Sequence, residues 1–379
     1  MRPLALNDDQ RQLAEAAAKV IDAWACEAGI TGDHAKPAHE KKRDTWREMA
    51  ALGWLGMLMS EADGGLGMGL MDAGVVLEQL GAAQLNVPYV STVLLASELI
   101  SRAATGTLRT DHLKAIAAGR RIVAVAVDER RLHDRTHCAV RAELRGDTWF
   151  LDGRKSLVHD APDADAIIVI ARTSGKDDEF EGRTAFVVDR HAEGMELRAL
   201  ELLNHERAAD LSLSGVAVRD SDRIGPVGGI GSVLDPVLDR AIAGQCAAML
   251  GGVQSAFART ADYLRIRQQF GVPLASFQGL QHRLATWWCE IEMTRSIVWD
   301  AMLACDEERP DAALVVSAAK AAVSDLFIRS GAEAIQLHGG IGMTADAGIG
   351  LFVKEARVSA ARFGDAFYHR RRFARINGY

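Results

Sequence analysis

Several residue patterns that would assign a function quickly are missing from this chain. Its five cysteines (Cys26, Cys138, Cys246, Cys289 and Cys305) are scattered, with no CxxC pair and no Cys/His cluster. That spacing offers no zinc-ligand set, and no metal is expected. An odd, sparse count fits reduced thiols and a cytoplasmic setting. There is no basic excess: 44 Lys and Arg stand against 51 Asp and Glu, a net charge of −7. A nucleic-acid partner, which needs a cationic face for phosphate, is therefore not expected. No apolar run approaches the roughly 20 residues that span a bilayer, so membrane insertion is not expected. The apolar stretch from Ala312 to Val323 is interrupted by Lys320. The first twenty residues lack an apolar signal core and carry the acidic pair Asp8-Asp9, which argues against export.

What is present is an ordinary globular composition, 49% hydrophobic and 25% charged, which excludes disorder. The length suits two or three domains or one large composite core. Residues 1–119 read as helical. Asn7 is a cap, followed by Leu13, Ala17, Val20, Ile21 and Trp24 at helical spacing up to Gly29. A second helix, "DTWREMAALGWLGML", leads into the glycine-rich "EADGGLGMG". Two further helices, "LMDAGVVLEQLGAAQ" and "VSTVLLASELISRAA", are apolar nearly all round and should be buried.

Residues 120–225 change period. Short Val- and Ile-rich runs are bounded by Gly, Asp and Pro, and Gly146-Asp147 has hairpin turn chemistry. No helical pattern separates the runs, so an antiparallel sheet or barrel is expected rather than βαβ units. Residues 226–379 return to helices. Asp235-Pro236 reads as a cap and first-turn pair for a helix running to about Gln269. Further helices are expected from Phe277 to about Asp306 and from Asp311 to His338, the latter stopped by Gly339-Gly340. A last pair covers Asp346 to Phe363 and Ala366 to Arg375.

Three stretches then point one way: "LGWLGMLMSEADGGLGMGL", "YLRIRQQFGVPLASFQGLQHRLA" and "AIQLHGGIGM". In this order around a central β region, they resemble the acyl-CoA dehydrogenase family over nearly the whole chain. The paired RxxFG…FQ and QxHGGxG signatures carry most of that resemblance. It implies an α+β multidomain fold: an N-terminal helical domain, a central antiparallel β-barrel and a C-terminal four-helix bundle. It also implies FAD, an acyl-CoA thioester substrate, an electron-transferring flavoprotein as acceptor, and a tetramer. The implied activity is that of a flavoprotein oxidoreductase of lipid β-oxidation, forming an α,β double bond. A carboxylate removes the weakly acidic α-proton away from water while the β-hydride goes to flavin N5.

Residue by residue, the resemblance assigns Arg267 to the flavin diphosphate, where a guanidinium fork suits the anion. Phe270 and Leu274 would flank the adenine, and Gln278 would hydrogen-bond the cofactor. Gln336 and Gly340 would admit the adenosine end from a partner subunit. His159 stands in the segment that lies against the flavin ring, and Arg207 matches a position near the active-site mouth. Other family features are altered. The Thr-Glu-Pro loop that cradles flavin and substrate appears here as "AVDERRLHDRTH", Ala126 to His137, charged and without glycine. The usual catalytic glutamate before a glycine is replaced by Phe363, before Gly364. Asp365 falls where the family has a cofactor-positioning threonine; an N-cap for the following helix is its plainer reading.

Some members carry the base on the first long helix of the C-terminal domain, just before an arginine. Asp239 occupies that place, followed by Arg240 as a substrate contact. Its neighbours Leu238, Ile242, Cys246 and Met249 are apolar, so an inward carboxylate would be stripped of water. The shorter base and rebuilt loop suggest a branched, cyclic or steroid side-chain thioester. A second possibility is a non-catalytic partner subunit of an α2β2 acyl-CoA dehydrogenase, since the retained Arg267, Gln278 and Gln336 would serve a neighbour's flavin.

Overall fold

The computed structural model describes residues 5–27 and 39–379. Helix α1 (Asp8–Glu27) begins at the expected cap. Asn7 Oδ1 accepts the Gln10 amide at 2.8 Å, and Gln10 Oε1 accepts the Asn7 amide at 3.1 Å. This reciprocal pair satisfies two of the donors a helix start leaves open. The expected continuation to Gly29 lies outside the described residues. Helices α2 (His39–Ala51) and α3 (Leu70–Ala82) follow. The next apolar segment differs from expectation: Val90–Ser97 is a π-helix, buried throughout, and only its end is α-helical, as α4 (Glu98–Ala103). Helix α5 (Gly106–Ala117) closes this region.

Eight strands form one sheet: β1 (Val123–Ala126), β2 (Arg141–Arg145), β3 (Thr148–His159), β4 (Ala166–Arg172), β5 (Arg183–Asp189), β6 (Met195–Glu201), β7 (Arg207–Arg219) and β8 (Arg223–Ile224). The Gly146-Asp147 turn joins β2 to β3 as expected, with Arg145 opposite Thr148. The sheet is neither antiparallel throughout nor a closed barrel. Its order is β6-β7-β3-β2-β4-β5-β8, an open path, and β1 lies parallel on β4. Strand β2 also meets β4 in parallel. The period reading missed this because a parallel return needs only a long connection, not a helix. Here the connection contains the β2–β3 hairpin. Strands β1 and β4 are buried along their whole length, which is why they read as continuous apolar runs.

Helix α6 (Gly231–Ile266) starts four residues before the expected Asp235 cap. The glycine-rich approach nucleates it early: the Val233 and Leu234 amides both reach the Ile230 carbonyl. Pro236 thus lies inside the helix rather than in its first turn. A short hairpin follows, β9 (Gln268–Gln269) with β10 (Val272–Pro273). Helices α7 (Gln278–Asp306), α8 (Ala312–His338), α9 (Gly350–Ala361) and α10 (Ala366–Ile376) complete the chain.

The described residues pack into two units. One is drawn from Met1–Ala38, Leu70–Asn86 and Ile242–Tyr379, the other from His39–Gly69 and Val87–Ala241. The N-terminal helices therefore divide, with α1 and α3 in the first unit and α2, α4 and α5 in the second. In the first unit, α3 meets α6 at glycines. A Cβ on Gly81 would stand 1.9 Å from the Ala248 carbonyl oxygen, and one on Gly251 1.8 Å from that of Glu78. Only glycine permits that approach.

Candidate functional site

The second unit gathers Asp239, Arg240, His159 and Arg207. Asp239 is only 6% exposed, as an inward-facing base requires. Its surroundings are not purely apolar, however. Arg135 Nη2 donates to Asp239 Oδ1 at 2.7 Å. Arg135 belongs to the charged loop between β1 and β2. Its own carbonyl accepts from Arg183 Nη1 at 2.7 Å. Arg240 is also paired: its Nε lies 3.0 Å from Glu98 Oε2, at the start of α4, and Arg102 approaches the same oxygen at 3.2 Å. Two successive residues of α6 thus each meet a buried counter-charge from a distant segment. Removing one partner of such a pair costs about 3–5 kcal/mol, because the other charge is left buried alone.

Salt bridges tie the loop down along its length. The Glu129 carboxylate takes Lys155 Nζ at 2.7 Å and the amides of Ala139 and Val140 at 2.6 and 3.0 Å. Burial opposes its charge, but Lys155 and these amides outweigh burial and hold its pKa below the usual range. The ring of His133 meets Asp128 at 2.9 Å.

At the end of β3 a bulge falls between Lys155 and Val158, and Leu157 sits at φ +51°. His159 follows, with Nδ1 3.5 Å from Glu206 Oε2. Arg207 Nη1 donates to Asp163 Oδ1 at 2.7 Å, and Lys42 Nζ lies 3.0 Å from Asp160 and 3.4 Å from Asp163. Burial works against the Lys42 charge, yet Asp160 and Asp163 raise its pKa above the ordinary value. His159 stands opposite Ala208 across β3 and β7, next to Arg207, which Asp163 holds.

The first unit gathers the other expected residues: Arg267, Phe270, Leu274, Gln278, Gln336, Gly340 and Asp365. Arg267 follows α6, and its carbonyl accepts the Leu274 amide at 2.8 Å, closing the β9–β10 hairpin. At the hairpin tip, Phe270 is 90% exposed with φ +55°, edge-on to Phe277 at 6.1 Å. Among the described residues, the Arg267 guanidinium and the Gln278 and Gln336 amides are exposed and form no hydrogen bond or ion pair. Gln336 lines a groove of about 680 Å³ along α7 and α8, within the usual size of a small-molecule site. A Cβ on Gly339 or Gly340 would meet nothing within 4 Å, so the chain's own packing does not demand small residues there.

Asp365 is the N-cap of α10, its Oδ1 accepting the Tyr368 amide at 2.7 Å. The preceding Phe363 has φ +60° and Gly364 φ +97°. This turn is backed by a residue that sequence reasoning noted only as a break in an apolar run. Lys320 is fully buried and donates to the carbonyls of Ser359 at 2.8 Å and Ala360 at 3.0 Å, at the end of α9. Burial pushes its pKa down to about 8. Arg135, Glu98 and Glu129 were missed as well, since partners 26 residues away for Glu129 and 104 for Arg135 leave no local pattern. Among the described residues, no His, Cys, Asp and Glu group could hold a metal ion. No described helix is long and apolar enough to cross a membrane.

Three family models match in order: the acyl-CoA dehydrogenase N-terminal domain over residues 7–120, the middle domain over 131–216 and the C-terminal domain over 229–376. The chain belongs to the acyl-CoA dehydrogenase family. Among curated relatives, it is 26% identical to acyl-CoA dehydrogenase FadE12 of Mycobacterium tuberculosis over 362 residues, 93% of this chain and 92% of that protein. It is 28% identical over 379 residues to the 3-sulfinopropanoyl-CoA desulfinase of Paraburkholderia xenovorans, 95% of this chain and 94% of that protein. Among solved structures, a variant of the steroid ACAD Tcur3481-Tcur3483 superposes with a TM-score of 0.85 at 28% identity, covering 98% of each chain. Within the acyl-CoA dehydrogenase fold, then, this chain exposes Arg267, Gln278 and Gln336 and carries a β1–β2 loop held by ion pairs.

Proposed function

We propose that the chain is an FAD-dependent dehydrogenase that forms an α,β double bond in an acyl-CoA thioester, with Asp239 as the base. The observation that carries this reading is the burial of Asp239, which is only 6% exposed. A carboxylate shielded from water can take up the weakly acidic proton, and its 2.7 Å bond to Arg135 must open as it does so, because a guanidinium partner opposes protonation. When bound, FAD supplies the acceptor for the β-hydride at its N5.

Cofactor fit rests on the uncommitted donors of the C-terminal helices. Arg267 would hold the diphosphate; Gln278 and Gln336 would hydrogen-bond the cofactor; Phe270 and Leu274 would flank the adenine beside the open Gly340. His159 would face the ring, and Asp365 would fix the turn beside it by capping α10. Arg207 and Arg240 would border the substrate, each kept in place by its acid, Asp163 and Glu98. The rebuilt loop supports a branched, cyclic or steroid side-chain thioester. We assign the domains to 1–119, 120–225 and 226–379, the last as a four-helix bundle. A cytoplasmic tetramer passing electrons to an electron-transferring flavoprotein completes the proposal.

A second reading is favoured by the same salt bridge together with Phe363 at the usual glutamate position. Arg135 then neutralises Asp239 permanently, and the chain is the non-catalytic half of an α2β2 complex. Anaerobic titration of the purified flavoprotein with a panel of acyl-CoA thioesters separates the two. Bleaching by a branched or cyclic thioester supports the dehydrogenase. Protein that purifies colourless, and acquires flavin only with a second chain, supports the partner.

A further inference from the structure

A second cavity lies in the unit that contains the sheet, and none of the residues assigned above lines it. It has a volume of about 280 Å³ and is lined by Arg43, Trp46, Arg47, Ala118, Gly119 and Arg120. Arg43, Trp46 and Arg47 fall at i, i+3 and i+4 on α2 and so share one face. Gly119 brings the chain after α5 hard against that face. It has φ +67°, and a Cβ on it would stand 2.8 Å from Ala50 Cβ and 3.3 Å from Arg47 Cα. This places Arg120 beside the two helix arginines.

Every polar side chain lining the cavity is a donor. Trp46 is only 1% exposed, and its indole N–H is buried with no acceptor. A buried donor left unsatisfied is costly, and native structures rarely keep one without a partner. Arg120 is exposed, and its side chain makes no hydrogen bond or ion pair. Arg47 holds only a solvent-exposed pair with Asp44 at 3.0 Å, which contributes little and rearranges easily. Arg43 uses Nη2 on Asp165 at 2.8 Å and on the Asp163 carbonyl at 3.1 Å, and Nη1 on Asp165 at 3.5 Å, leaving its Nε–H and one Nη1–H. A site made of three guanidinium groups and an indole N–H calls for an acceptor-rich anion. The volume falls below the roughly 300–1,000 Å³ of sites for drug-sized ligands, so a whole nucleotide is too large.

We propose that this cavity binds a small tetrahedral oxyanion of phosphate size, with Trp46 Nε1 and the guanidinium groups of Arg43, Arg47 and Arg120 as donors. The anion is either the free ion or the terminal phosphate of a small metabolite. The test uses the full chain labelled with 5-fluorotryptophan. Its seven tryptophans give seven fluorine resonances, and Trp46→Phe identifies the one that matters. Titration with inorganic phosphate, against sodium chloride at matched ionic strength, should move the Trp46 resonance saturably. Arg120→Gln, which disturbs no internal contact, should weaken the apparent affinity about fivefold or more. Tighter binding of glycerol 3-phosphate than of inorganic phosphate assigns the site to a metabolite, and the reverse to the free ion. The proposal is overturned if phosphate up to about 20 mM, well above a millimolar dissociation constant, moves the resonance no more than chloride does. It is equally overturned if Arg120→Gln leaves the titration unchanged.

Discussion

Replacing Lys320 by methionine should abolish a specific pH dependence of stability. Lys320 is fully buried, and burial lowers its pKa from 10.5 to about 8. Between those values the unfolded chain binds a proton that the folded chain does not, so stability rises with pH. Below about pH 8 both states are protonated and the penalty is complete. A shift of about 2.5 units corresponds to roughly 3 kcal/mol, of which about 2 kcal/mol should be recovered between pH 7.5 and 10. Cys246, which faces Lys320, works in the opposite direction. Its pKa is raised from 9.0 to about 12 by burial, so that group loses stability as pH rises through the unfolded thiol range. Asp365 and Arg362 also act on Lys320, the first favouring its charge and the second opposing it. The quantity to measure is therefore a difference: urea unfolding of the wild type minus that of Lys320→Met, at pH 7.5, 8.5, 9.25 and 10, at one protein concentration. The wild type should gain about 2 kcal/mol on the variant across the series. At pH 7.5 the variant still loses the bonds to Ser359 and Ala360, so the slope of the difference is diagnostic rather than its sign at one pH. A difference that stays flat within about 0.5 kcal/mol, a fraction of one pKa unit, would refute the reasoning.

The α3–α6 crossing predicts that Gly81→Ala and Gly251→Ala each force helices apart, because each Cβ would stand within 2 Å of a backbone oxygen. Each should cost about 3 kcal/mol or more, visible as a Tm loss of several degrees, whereas Gly279→Ala, with nothing within 4 Å, should not lower Tm. A double-mutant cycle on Arg135→Met and Asp239→Asn should give a coupling energy above about 1.5 kcal/mol in denaturant unfolding, since each single change strands a buried group. Arg267→Ala should lower flavin retention on gel filtration at least tenfold, while Arg265→Ala, whose partner is the exposed Asp262, should leave it unchanged.

Much of the architecture was legible in the sequence because it is written locally. Asn7 announces a helix cap, Gly146-Asp147 a hairpin, and Gly339-Gly340 the end of α8. The sheet was misread where the information is not local. Nothing in "RIVAVAVDE" distinguishes a strand that pairs parallel to β4 from one that pairs antiparallel, since both read as buried apolar runs. Pro236 misled for a related reason: its usual place is a first turn, but the glycines before it let α6 begin earlier. The candidate site divides in the same way. Arg267, Gln278 and Gln336 sit in motifs of fixed spacing, so the sequence alone puts them forward. It puts Asp239 forward too, but with an environment read from neighbours in sequence, all apolar. Arg135, 104 residues away, turns that apolar setting into a salt bridge. In sequence the charged loop shows only that it lacks glycine and Thr-Glu-Pro. In the structure, Glu129, His133 and Arg135 make it a cross-linked element that reaches the proposed base.

The central claim, that Asp239 removes the α-proton, is tested most directly on the flavin-loaded protein. Single-turnover bleaching with a branched or cyclic acyl-CoA would be compared in wild type and Asp239→Asn, with flavin content measured in both. The account expects equal flavin content and a rate lowered by at least about a hundredfold, the usual contribution of a positioned general base. Unchanged bleaching in Asp239→Asn would contradict it and leave Asp239 as a structural partner of Arg135.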